Sequence, residues 1–295
     1  MTDHDQNPDS ARLAHYATAS REVAGSESLA GSIWPLPGTL DGVTTQVQAP
    51  QTPYPGASDA ATEAWWQGVR LRKPGWGFPD YLIAAAAWLV FSVIAAIPIA
   101  FVTDGSAGYA WVLLFSVVLP WLGMGGYPWL ISKLRGNGVV LDFGLRFRWS
   151  DVGWGVLYGG AALLAAAVIA AALSAIFGDF DSSAGELAKS LNDFPVQRLL
   201  FALAVGIGAP IVEELCYRGL LVTSLLKRGM SKWLSVMISA ALFAAMHMEP
   251  IRFLLLFAIG LILGFARVHR NNTTTTIIAH MTNNLPGAIG ILFLL

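Results

Sequence analysis

The chain has 295 residues, 55% of them hydrophobic and only 13% charged, with a formal net charge of −1. Soluble globular chains carry about 25% charged residues, so a deficit of this size points to lipid as the solvent, and the near-neutral balance gives no electrostatic basis for nucleic-acid binding. The single cysteine, Cys216, excludes an internal disulfide and a thiolate zinc cluster.

Residues 1–64 are rich in Ser, Ala, Gly, Pro, Thr and Gln and show no sustained apolar periodicity. Such a segment buries too little apolar surface to offset the entropy of ordering, which predicts a disordered tail. Its first residues are polar, so no cleaved leader is expected, and the first hydrophobic segment is expected to act as the insertion signal. Residues 65–79 differ: Trp65, Trp66, Trp76 and Phe78 stand among Arg70, Arg72 and Lys73. Aromatic and basic residues beside a hydrophobic run mark a membrane interface, and a short interfacial helix ending near Pro74 is predicted.

A span needs about 20 apolar residues. Candidate spans cover 80–102, 109–131, 153–177, a run from 195 past Pro210, 232–248, 251–268 and 276–295. The fold class is therefore all-α, a polytopic transmembrane helical bundle of about seven spans. Residues 80–194 hold the first three spans and an external loop, and 195–295 hold the rest. With the N-terminus cytoplasmic, twelve basic residues flank spans on that side: Arg70, Arg72, Lys73, Lys133, Arg135, Arg146, Arg148, Lys227, Arg228, Lys232, Arg267 and Arg270. Three, Lys189, Arg198 and Arg252, fall outside. This asymmetry predicts a multi-pass cell-membrane protein with its N-terminus inside. Gly155 with Gly159, and Gly260 with Gly264, have the small-x-x-x-small spacing of closely packed membrane helices.

Ionisable residues within spans are costly and mark functional sites. They concentrate late in the chain, as Glu213, Glu214, Arg218, His247 and His280, with Asn284 beside them. Arg218 is four residues from Glu214, so the two share a helix face and can pair. Glu213 points about 100° away and is left free. Phe243 and His247 share a face, as do His280 and Asn284. Around a turn near Gly229, Glu213 and His247 fall at nearly equal depth, positioned as a general-base pair for activating a water. A continuous helix would leave His280 shallower, so the polar run 271–276 is expected to climb in extended form along a wet cavity. Taken singly, each pair also fits a purely structural polar contact between helices.

In order, these residues form E-E-x-x-x-R, F-x-x-x-H and H-x-x-x-N within 72 residues. The segment 195–295 thereby resembles the CAAX-protease and bacteriocin-processing (CPBP) family, which includes the type II CAAX prenyl endopeptidases. The resemblance implies an intramembrane endopeptidase. Glu213 and His247 would activate the water, and His280 and Asn284 would bind the oxyanion. Glu214, Arg218 and Phe243 would support the site structurally. It also implies a membrane-associated peptide or lipidated protein as substrate, with membrane lipid as surroundings. The preferred mechanism needs no cofactor. The metalloprotease alternative places Zn on Glu213, His247 and His280. Two other functions stay open: a catalytically silent bacteriocin-immunity or scaffold protein, and a proton-coupled transporter.

Overall fold

A computed structural model describes residues 52–293. Residues 1–51, most of the expected tail, lie outside the described residues. Every regular element described is helical. Residues 52–64, assigned to the tail by composition, are instead part of the folded unit. Ser58 caps a helix, α1 (Asp59–Trp66), by accepting the Ala61 N–H at 3.1 Å. Ala57, Ala61 and Trp65 lie along one side of this segment and pack with Tyr54 and Leu71. Asn271 donates to the Ala57 carbonyl and the Asp59 carboxylate, each at 2.9 Å. Glu63 pairs with Arg146 at 2.5 Å and Arg148 at 2.9 Å. A stripe built mainly of alanine escapes a compositional reading yet packs well.

The helix expected up to Pro74 ends at Trp66, where Gly68 turns the chain at φ 84°. Trp76 is not an interface anchor. It is buried, and its indole N–H donates to Asp142 at 3.0 Å.

The long helices follow at the expected places: α2 (Phe78–Phe101), α3 (Ala107–Arg135) and α4 (Trp149–Phe177). A short helix, α5 (Ser183–Lys189), occupies the loop before α6 (Pro195–Lys227), α7 (Lys232–Met246), α8 (Phe253–Arg270) and α9 (Thr273–Phe293). Five of these, α2, α3, α4, α6 and α8, are long and apolar enough to cross a bilayer. Helix α7 is shorter, with 15 residues, and α9 carries a polar start. Side chains such as Val93 on α2 and Leu164 on α4 point outward. An apolar exterior of this kind requires lipid around it. The protein is thus a multi-pass helical membrane protein.

Helix α9 packs on α4, and α8 packs on α7 and α4. The paired glycines explain the closeness. A Cβ on Gly159 would stand 2.5 Å from the Ala279 carbonyl oxygen, and one on Gly260 would stand 2.9 Å from the Ala240 Cα. The expected turn near Gly229 is present, with φ 80°.

Helix α6 is not a uniform α-helix. It widens to π-helix at Ala204–Gly208 and Leu215–Val222, and α3 does so at Leu122–Gly126. Such turns re-aim side chains and carbonyls and recur at functional sites.

Gly159→Leu is expected to destabilise the α4–α9 contact by about 1–3 kcal/mol through overpacking. Gly160 meets no atom within 4 Å, and Gly160→Ala should be neutral or stabilising by up to about 1 kcal/mol. Comparing heat-induced loss of folded protein in detergent for the two variants checks the pair.

Candidate active site

The two flanks of Ala209–Glu214 are both π-helical, so Glu213 and Glu214 sit between two wide turns of α6. Neighbouring helices hold these turns by side chains. Asn284 on α9 donates its amide N–H to the Val205 carbonyl at 3.0 Å. Arg267 on α8 donates from Nε to the Arg218 carbonyl at 3.1 Å and from Nη2 to the Thr223 hydroxyl at 3.2 Å.

Glu214 and Arg218 are both fully buried and pair at 2.8 Å through Oε1 and Nη1. Arg218 also donates from Nη2 to the Gly260 carbonyl at 3.0 Å. Its guanidinium lies 4.8 Å above the Phe243 ring, a cation–π contact in a desolvated place. The same ring meets His247 edge-on at 4.7 Å and His280 at 5.7 Å. Phe243 therefore touches Arg218 and both histidine rings at once.

His280 approaches both carboxylates. Its Nδ1 is 3.1 Å from Glu214 Oε1, and its Nε2 is 3.8 Å from Glu213 Oε2. The expected extended climb over 271–276 does not occur: helix α9 already begins at Thr273. Only Asn271, left-handed at φ 45°, and Asn272 separate α8 from α9. The climb is unnecessary because the turn starts inside the fold. Asn272, Thr273, Thr275 and Thr276 are buried. Thr275 donates to Asp151 at 2.8 Å and the Asn272 amide to the Arg146 carbonyl at 2.9 Å. The threonine run is thus the buried first turn of a helix, held under the segment that enters α4.

Glu213 has a different environment. Its side chain keeps 21% of its exposure, whereas Glu214 has none. It opens into a cavity of about 180 Å³ lined by Trp88, Trp121, Met124, Tyr217, Met246, His247 and Met248. The volume exceeds the roughly 30 Å³ share of one water several-fold, so a water and a substrate carbonyl fit together. Trp121 reaches this wall because Gly208 makes way for it; a Cβ there would stand 2.3 Å from the indole.

His247 faces the same cavity from the end of α7. Its Nδ1 lies 2.8 Å from the Phe243 carbonyl. A carbonyl only accepts, so Nδ1 carries the hydrogen and Nε2 of the neutral ring is left as an acceptor. No direct hydrogen bond joins His247 to Glu213 among the described contacts, which leaves a space between two acceptors. Asn284 stands one turn beyond His280, with one amide hydrogen on Val205 and its oxygen accepting from Asn283 at 3.1 Å.

Among the described residues, no three His, Cys, Asp or Glu side chains converge as a metal-binding group. Arg267, counted from sequence among the flanking basic residues, is fully buried beneath Arg218. The wall residues were also missed. Met246 and Met248 flank His247 in sequence, but Trp88 and Trp121 come from distant helices without a motif.

Fold and site together define a multi-pass helical membrane protein with a paired, buried acid–arginine–histidine cluster beside a cavity that exposes a second carboxylate. Residues 195–286 match the family model described as type II CAAX prenyl endopeptidase Rce1-like. The matched segment contains all three motifs and agrees with the resemblance they carry. No curated protein and no solved structure matches the chain.

Removing Arg218 alone would strand the Glu214 charge in the interior. Arg218→Met is expected to cost about 3–5 kcal/mol, whereas the double change Glu214→Leu/Arg218→Met should recover most of that loss. Folded yield and denaturation midpoints of the two variants in one detergent check this.

Proposed function

We propose that the protein is an intramembrane endopeptidase that hydrolyses a peptide bond in a membrane-associated peptide or lipidated protein. The family match supports CAAX-type proteolysis at the level of the family. The observation that carries the finer reading is the division of labour between adjacent carboxylates. Glu214 is neutralised by Arg218, while Glu213 opens into the cavity that His247 also lines.

In this reading a water lies between Glu213 and His247 and directs one hydrogen to each acceptor. Its oxygen attacks the substrate carbonyl carbon as a proton passes to the Glu213 carboxylate. The C–O bond forms and the carbonyl π pair moves to oxygen. Collapse of the tetrahedral intermediate breaks the C–N bond, and Glu213 returns its proton to the leaving nitrogen. General-base assistance of this kind contributes about 10²–10⁴-fold.

The oxyanion is assigned to the α9 side of the site. Protonated on both ring nitrogens, His280 would donate to Glu214 through Nδ1 and present Nε2–H toward the reacting carbonyl. Asn284 keeps a second amide hydrogen beyond its bond to Val205. Each donor of this type is commonly worth about 2.7–4 kcal/mol in the transition state. The mechanism is of the glutamate type and routes no step through a metal. The basic-residue asymmetry supports seven spans with the N-terminus cytoplasmic.

Purified protein in liposomes, supplied with prenylated and unprenylated peptides, tests the reading. His247→Ala is expected to lower kcat by about 10²-fold or more, and metal chelators should leave the wild-type rate unchanged. Chelator-sensitive cleavage restored by zinc would contradict the glutamate mechanism. A wild type inert on every peptide would favour a silent scaffold.

A further inference from the structure

His247 ends α7, and the chain reverses through Met248–Arg252 before α8 begins. Among the described residues, two that are not glycine have positive φ: Asn271 at 45° and Met248 at 54°. Asparagine visits this region because its short polar side chain bonds locally, whereas methionine has no such compensation. Strain of this kind persists where surrounding structure imposes it, and it clusters at active sites. Packing of the Met248 side chain does not impose it, because the residue is 71% exposed.

The next residue supplies the restraint. Glu249 precedes Pro250, which confines it to extended backbone. Its Oε1 accepts the Ser183 N–H at 2.7 Å, and its Oε2 pairs with Arg252 Nη1. One carboxylate thus ties the reversal both to α5, in the loop before α6, and to the start of α8. Burial raises the Glu249 pKa, but the bond from Ser183 and the charge of Arg252 outweigh it and hold the carboxyl below its ordinary value. The anchor therefore stays ionised at neutral pH.

We propose that Glu249 is the positioning residue for His247: anchored on Ser183 and Arg252, it holds Met248 in the left-handed turn that aims the His247 ring into the cavity. The role in catalysis rests on the reading that His247 works with Glu213. The geometry of the ring does not rest on it and can be read separately.

The test uses full-length protein and three changes. Glu249→Ala removes the anchor. Ser183→Pro removes only the donated N–H, because Ser183 is the first residue of α5, where proline is well accommodated. Ser182 before it is already extended, at φ −85° and ψ 153°. Met248→Gly supplies a residue that takes positive φ without restraint. Glu249→Ala is expected to lower kcat by about 10- to 100-fold with KM little changed, as misplacement of a catalytic group does. Ser183→Pro should move kcat the same way by a smaller factor. In the M248G background, Glu249→Ala should cost less than about threefold, a coupling that a merely structural role would not produce.

Nitrogen NMR of histidine-labelled protein supplies the readout that needs no substrate. The His247 ring should show one tautomer, with hydrogen on Nδ1, in the wild type. It should become mixed in Glu249→Ala and return to one tautomer in the double variant. An unchanged His247 ring in Glu249→Ala, or equal loss with and without Met248→Gly, would overturn the proposal. Absence of cleavage by the wild type would sink the protease reading alone, since the ring signals still decide the role of Glu249.

Discussion

The buried pair of Glu214 and Arg218 is the constraint on which the site depends. Two adjacent carboxylates in an apolar interior repel each other and favour protonation of one. Arg218 removes that conflict by taking Glu214 fully out of solvent at 2.8 Å. It is in turn held by the Gly260 carbonyl and the Phe243 ring. Three helices are thereby fixed around one charge pair, and Glu213 is left facing the cavity. Buried ion pairs are poor sources of net stability but strong penalties when broken. The pair is better understood as setting the register of α6, α7 and α8 than as strengthening the fold.

The π-helical turns give this register its shape. A regular α6 would present Glu213 and Glu214 on an unbroken 3.6-residue spiral. Wide turns before and after them break that spiral, with Trp121 seated against Gly208. Carbonyls on these turns meet Asn284 and Arg267 from outside α6. Asn284 lies on α9, which carries His280, and Arg267 lies on α8, whose Gly260 carbonyl accepts from Arg218, so site geometry and helix packing are not separable.

Much of this was legible in sequence because its physics is local. The positions of α2, α3, α4 and α6 to α9 follow from apolar run length, the tight glycine contacts from four-residue spacing, and the Glu214–Arg218 pair from one helical turn. What was not legible depends on partners distant in sequence. The stripe of Ala57 and Ala61 reads as tail until Asn271 and Leu141 are placed against it. Trp76 reads as an interface anchor until Asp142 is found to accept from it. The climb expected before His280 came from assuming that the α8–α9 turn sits at the membrane surface. Thr273 and Thr275 are instead covered by the segment around Phe143 and Asp151, and helix α9 begins at once beneath it. The cavity wall combines four helices, α2, α3, α6 and α7, with no shared motif, so only the fold assembles it.

The central claim is that two neighbouring glutamates have been given opposite tasks. The most direct measurement compares Glu213→Gln with Glu214→Gln for both folded stability and peptide cleavage in the same membrane mimic. Glu213→Gln is expected to fold as well as the wild type while losing about 10²-fold or more in kcat. Glu214→Gln is expected to lose stability first. A Glu213→Gln protein that folds normally and cleaves at the wild-type rate would contradict the claim.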